Sequence, residues 1–177
     1  NMLIVYAGYA SGGGALTDLW VLNNANGLGG APQWTKLAYL GTPPPQRAWS
    51  QRPSYDPSTN RLMLFGGCDN GCSVGNYVNE VWTLSNANGL NGIPQFTQLY
   101  PTGGPPAKRN DFGSGYDSTS NRLIIFGGGD EWPPKFNDTW VLANANGLGG
   151  VPEWIRLYPT TVPPDRYDMS SAYDRTT

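Results

Sequence analysis

A block of about sixty residues occurs three times in this chain of 177 residues. Asn60-Arg61-Leu62-Met63-Leu64-Phe65-Gly66-Gly67 returns as Asn121-Arg122-Leu123-Ile124-Ile125-Phe126-Gly127-Gly128, and Asn1-Met2-Leu3-Ile4-Val5-Tyr6-Ala7-Gly8 is a weaker copy. Leu19-Trp20-Val21-Leu22, Val81-Trp82-Thr83-Leu84 and Thr139-Trp140-Val141-Leu142 follow, each succeeded by Asn-Ala-Asn-Gly-Leu at 24–28, 86–90 and 144–148. An aromatic-x-x-Leu segment comes next in every copy, from Trp34, Phe96 or Trp154. A Pro-rich run then ends at Arg47, Arg109 or Arg166, ahead of Tyr-Asp at 55–56, 116–117 and 173–174. The repeats span approximately 1–59, 60–120 and 121–177 in a single repeat region. A unit of this length cannot bury its apolar face alone, so the copies must stack on one another.

Each copy reads as four short strands and no helical period competes. Residues 62–65 and 123–126 are continuous apolar runs backed by glycines, the pattern of a strand buried on both faces. Residues 81–84 and 139–142 look the same, whereas 96–99 and 154–157 alternate apolar with polar positions and should be half exposed. Residues 113–116 and 170–173 are small-residue strands suited to a crowded place. This order (small, buried, buried, half exposed) predicts an all-β fold of four-stranded antiparallel blades arranged as a β-propeller.

These features resemble the kelch repeat family, in its long-repeat bacterial form. The resemblance rests on the Gly-Gly after the second strand, the Trp-bearing third strand, the aromatic fourth strand and the Pro-Pro run that leads to Arg and Tyr-Asp. It covers essentially the whole chain and implies three kelch-type blades. Ala7-Gly8 replaces Gly-Gly in the first copy, and Phe112, Met169 and roughly Ser50 stand where relatives carry His. Propellers close with about four to eight blades, so three leave open faces. Either the chain belongs to a longer propeller, or two chains join as a homodimer in a six-bladed ring. In the second case residues 167–173 of one chain lie as the innermost strand beside residues 3–6 of its partner. Since residue 1 is Asn, the chain is expected to be processed or excised from something longer.

Composition narrows the chemistry. Net charge is −2 with 14% charged residues, which argues against a nucleic-acid partner because phosphate neutralisation needs a basic field. No apolar run is long enough for a membrane helix. Histidine is absent, which removes the commonest general base and transition-metal ligand and with them the copper chemistry that the resemblance to galactose-oxidase-type propellers would imply. Cys68 and Cys72 are too few for zinc; a local disulfide is expected over free thiols, which points to an extracellular or periplasmic setting. Asn137-Asp138-Thr139 forms a glycosylation sequon that reads more simply as a turn before a strand.

The three repeats also differ in an informative way. The Asn-Ala-Asn-Gly loops and the turn at 117–121 barely change and read as structural turns, whereas the loops at 9–18, 68–79 and 129–138 differ completely. Binding residues concentrate on variable loops held by a rigid frame. The ligand face is therefore placed there, with Trp132, Asp130, Glu131, Lys135, Tyr77 and Trp49 as candidates. Arg47, Arg109 and Arg166 join them, although their recurrence suits blade bridging better. Trp132, outside the repeat pattern, is the best single aromatic. Asp130 and Glu131 are a weak calcium signal; no other cofactor or metal is expected. The leading expectation is a non-catalytic module that binds a carbohydrate or a protein surface. The alternatives are a sugar-modifying enzyme using Asp111, Asp168 and Arg109, and a structural repeat unit of a surface assembly.

Overall fold

The computed structural model describes residues 1–45, 47–48, 52–69, 76–129 and 134–176. It is all-β, with three antiparallel sheets that follow the sequence repeats. The first sheet has three strands in sequential order, β1 (Met2–Tyr9), β2 (Ala15–Asn23) and β3 (Gln33–Leu37). The second has four, β5 (Ser54–Asp56), β6 (Arg61–Phe65), β8 (Val81–Ser85) and β9 (Gln95–Leu99). The third repeats it with β10 (Gly113–Asp117), β11 (Arg122–Phe126), β12 (Thr139–Ala143) and β13 (Glu153–Leu157). A two-stranded ribbon of β4 (Arg47–Ala48) and β7 (Cys68–Asp69) ties a long connection to the loop after β6.

The central pairs keep one register across the copies, with a bulge in the first between Tyr6 and Gly8. Leu22, Leu84 and Leu142 face Leu3, Leu62 and Leu123 respectively, and on their other side face Trp34, Phe96 and Trp154. Cross-strand apolar pairs of this kind fix register, because a one-residue slip would turn every side chain to the other face. The Asn that opens each Asn-Ala-Asn-Gly turn has a positive φ (Asn24, Asn86, Asn144), as do Asn60 and Asn121 before the second strands. Asn tolerates this left-handed conformation where most residues do not. Gly66 and Gly127 both stand at φ +62, and a Cβ there would lie 2.7 and 2.9 Å from the Arg109 and Arg166 carbonyls. Ala7 takes the same φ in the first copy, so the Ala7-Gly8 departure keeps the turn at the expense of backbone strain.

Two apolar layers lie between the sheets. Ile4, Tyr6, Leu19 and Leu37 of the first sheet meet Leu62, Leu64, Trp82, Leu84 and Phe96 of the second. Phe65, Val81 and Leu99 of the second meet Leu123, Ile125, Leu142 and Trp154 of the third. The middle sheet is thus covered on both faces, and the expectation of doubly buried strands holds there. It does not hold for the third, where Ile124 and Phe126 remain partly exposed because, among the described residues, no sheet covers their side. Residues 170–173 also differ from expectation. They run beside β10 but form no strand, since no second strand of their own pairs with them.

Candidate ligand face

One end of the sheets is closed by a repeated asparagine motif. Asn60 Nδ2 donates to Asn88 Oδ1 at 2.7 Å, and Asn60 Oδ1 accepts from the Asn88 amide and the Tyr55 hydroxyl. Asn121, Asn146 and Tyr116 reproduce this set. Asp56, almost fully buried between the second and third sheets, accepts from Ser58, Thr59, the Tyr116 hydroxyl and Asn146. Its burial alone would raise the carboxyl's pKa, but the hydrogen bonds from Ser58, Thr59 and Asn146 outweigh that and hold it down to about 2. Burial, followed by the Asp56 charge, raises Tyr116. Every polar group here works within the frame, which fits the sequence reading of these loops as structural.

The other end carries the divergent loops and the long connections. Arg109 stands there but does not reach the surface. It is fully buried, its Nη1 and Nη2 bond Asp138 at 2.5 and 3.0 Å, Nη1 also bonds the Gly127 carbonyl and Nε the Ala107 carbonyl. Its guanidinium lies 4.1 Å from the Phe136 ring centre. A planar fork satisfied this completely holds two neighbouring segments together. Arg109 is therefore removed from the ligand candidates and from the alternative enzyme site. Asp138 sits partly buried; burial raises its pKa, and the Arg109 and Trp140 hydrogen bonds more than reverse that.

Arg166, by contrast, is exposed; its Nε donates to its own Pro164 carbonyl at 3.1 Å. Lys135, also exposed, places its ammonium 4.6 Å from the centre of the Tyr167 ring. Asp168 is exposed and pairs with Arg52 at 4.0 Å. Its backbone N–H donates to the Asp111 carbonyl, which brings the two aspartates of the enzyme alternative close along the chain path. Tyr77 is half-buried and bridges to Cys68. Cys68 is disulfide-bonded and buried; the chain's other cysteine, Cys72, lies outside the described residues. So do Trp132, Asp130, Glu131 and Trp49, while Arg47 is described only by its backbone pairing with Asp69. Asn137 is exposed. Among the described residues no group of three or more Asp, Glu, Cys or His is placed to hold a metal.

The face thus brings together Lys135, Tyr167, Arg166, Asp168 and Arg52. Tyr167 and Arg52 were not singled out from the sequence. The signal for Tyr167 was its place directly after a recurrent arginine, where the other copies have Ala48 and Asn110. A cation held over an aromatic ring beside exposed charges can stack on a flat apolar surface and hydrogen-bond its polar rim. No family model matches the chain, and comparison with curated proteins finds no match.

Proposed function

We propose that this chain is a non-catalytic binding module of kelch-type β-propeller architecture, working in an extracellular or periplasmic setting and presenting its divergent-loop face to a carbohydrate or protein partner. The observation that carries the reading is the contrast between the two ends. One end is the same hydrogen-bonded turn in each copy, and the other gathers exposed Lys135, Arg166 and Asp168 around the half-buried Tyr167. A carbohydrate suits this chemistry best: the Tyr167 ring can cover an apolar sugar face, and the flanking charges can bond hydroxyls. The disulfide at Cys68 supports an oxidising compartment. The reading requires no cofactor. It is preferred to the enzyme alternative because Arg109 is fully committed to Asp138.

A glycan array tests it. Wild type should bind a restricted set of glycans, and Tyr167→Ala should lose about tenfold or more in affinity, as for removal of one stacking ring. Trp132→Ala on the same array examines the candidate that rests on sequence alone. Wild-type binding that Tyr167→Ala and Lys135→Ala both leave unchanged would overturn the assignment of this face. The open apolar faces of the first and third sheets favour a second reading, a repeat unit in a surface assembly; it predicts self-association without any soluble ligand.

A further inference from the structure

The two internal sheet-to-sheet contacts are the same contact used twice, and the outer sheets each keep one unused half of it. The half used by Leu62 and Leu64, and again by Leu123 and Ile125, belongs in the first sheet to Leu3 and Val5, which are 49% and 39% exposed. With Trp20 and Trp34, Val5 lines an apolar cleft of about 440 Å³. The complementary half, used by Ile4 and Tyr6 and again by Phe65, belongs in the third sheet to the partly exposed Ile124 and Phe126.

Polar contacts repeat with the same offset of one sheet. Asp56 at the end of β5 receives Tyr116 and Asn146 of the following sheet. Their counterparts in the second sheet, Tyr55 and Asn88, bond to each other, to Asn60 and to the Leu90 N–H. Tyr55, Asn88, Asn1, Met2 and Ile4 instead border a groove of about 700 Å³ beside β1, where an inner strand of the first sheet would lie. Residues 169–174 have the contacts of such a strand without a sheet. Ser171 Oγ bonds both the N–H and the carbonyl of Ser114 at 2.8 Å, and a Cβ on Gly115 would lie 2.6 Å from Tyr173. Thr176 caps Asp174 as Ser58 caps Asp56. Likewise Asp18, Glu80 and Asp138 each accept from the Trp two residues on, and Asp138 also holds Arg109. By the same offset Arg166 belongs with an Asp18.

We propose that two copies of this chain join head to tail, the third sheet of each docking on the first sheet of the other. Residues 169–174 become the missing inner strand, antiparallel to β1, with Tyr173 opposite the partner's Leu3 and Asp174 bonded by the partner's Tyr55 and Asn88. Arg166 pairs with the partner's Asp18 as Arg109 pairs with Asp138. Repeated about a two-fold axis, this closes six sheets into a ring and pairs the free edge of β1 in each chain. Arg166 is shared between this association and the proposed ligand face, so the two readings are separated by Asp18→Arg, which lies outside that face, and by Tyr167→Ala and Lys135→Ala, which should abolish ligand binding and leave the dimer intact.

Sedimentation of the 177-residue chain at micromolar concentration should give about twice the 19.1 kDa chain mass. Arg166→Glu and Asp18→Arg should each weaken association about 100-fold, the scale of truncating a buried charge pair, and should leave the circular dichroism of a folded chain. The double variant should restore the dimer. A third arm uses Ser171→Cys with Val5→Cys, opposite each other in the proposed register, which should form inter-chain disulfides and run at double mass on a non-reducing gel. Wild type sedimenting at 19.1 kDa, open-ended higher multiples, or a dimer that neither single variant weakens would each overturn the proposal.

Discussion

The first and second sheets are built from the same sequence pattern and meet opposite fates. Leu62 and Leu64 are 4% and 3% exposed, whereas their counterparts Leu3 and Val5 stand in the open. Ala87 of the second Asn-Ala-Asn-Gly turn is fully buried, and Ala25 of the first is exposed. The same contrast reaches the third sheet, where Asp138 is locked by the buried Arg109, while its first-sheet counterpart Asp18 has, besides the Trp20 indole, Lys36 at 3.8 Å near the surface. The strands, turns and registers are alike, so burial in this molecule is set by what stands beside a sheet rather than by what the sheet is made of. Stability should divide along the same line.

Comparing equivalent positions in the first sheet and in the sheets that follow it, in the Arg166→Glu background to keep the chain monomeric, sharpens the contrast. The largest effect is expected for Asp138→Ala, which leaves the Arg109 guanidinium buried without its carboxylate and should cost about 3–5 kcal/mol in urea unfolding. Asp18→Ala removes a surface pair and should cost less than about 1 kcal/mol. Next comes Leu64→Ala, at about 3 kcal/mol for a buried leucine, against less than about 0.5 kcal/mol for Val5→Ala, as for exposed substitutions generally. Equal costs within either pair would break the comparison.

Asp56→Asn should destabilise by about 2 kcal/mol at neutral pH, the scale of hydrogen bonds to a charged group. Because the folded-state pKa is depressed to about 2, the stabilisation is fully present above about pH 4 and is lost as pH falls toward 2. The gap between wild type and Asp56→Asn, followed by denaturant melts at successive pH values, should therefore close over that interval. The smallest effect is a gain. Ala7→Gly relieves a left-handed alanine at φ +62 and, after the extra chain entropy of glycine, should stabilise by about 0.5 kcal/mol.

Much of this was legible in the residues. The three copies, their strand order and the half-exposed outer strands follow from the spacing of Leu62, Trp82 and Phe96 and their equivalents, because local alternation determines a strand wherever it sits. The open sides of β1 and β11 were legible from the count of three repeats rather than from the strands themselves, since exposure of Val5 or Phe126 depends on a neighbour and not on the strand's own pattern. The small-residue run at 170–173 reads as a strand for the same reason that 113–116 does, yet a strand needs a pairing edge, and among the described residues none pairs with it. At the candidate face, Lys135 and Arg166 were named from the sequence. The burial of Arg109 was not, because its partner Asp138 is met only across the fold. The acid two residues before each repeat's Trp (Asp18, Glu80, Asp138) was the available signal. Tyr167 carried a signal in its departure from Ala48 and Asn110 of the other copies, and its contact with Lys135 gave that signal a meaning.

Hydrogen exchange compares the two sheets most directly, with the backbone amides of residues 2–6 and 61–65 followed together over a range of protein concentrations. The account predicts constant, slow exchange in 61–65, and in 2–6 a protection that grows with concentration as the free edge of β1 gains a strand. Exchange in 2–6 that does not change with concentration, whether fast or slow, would contradict it.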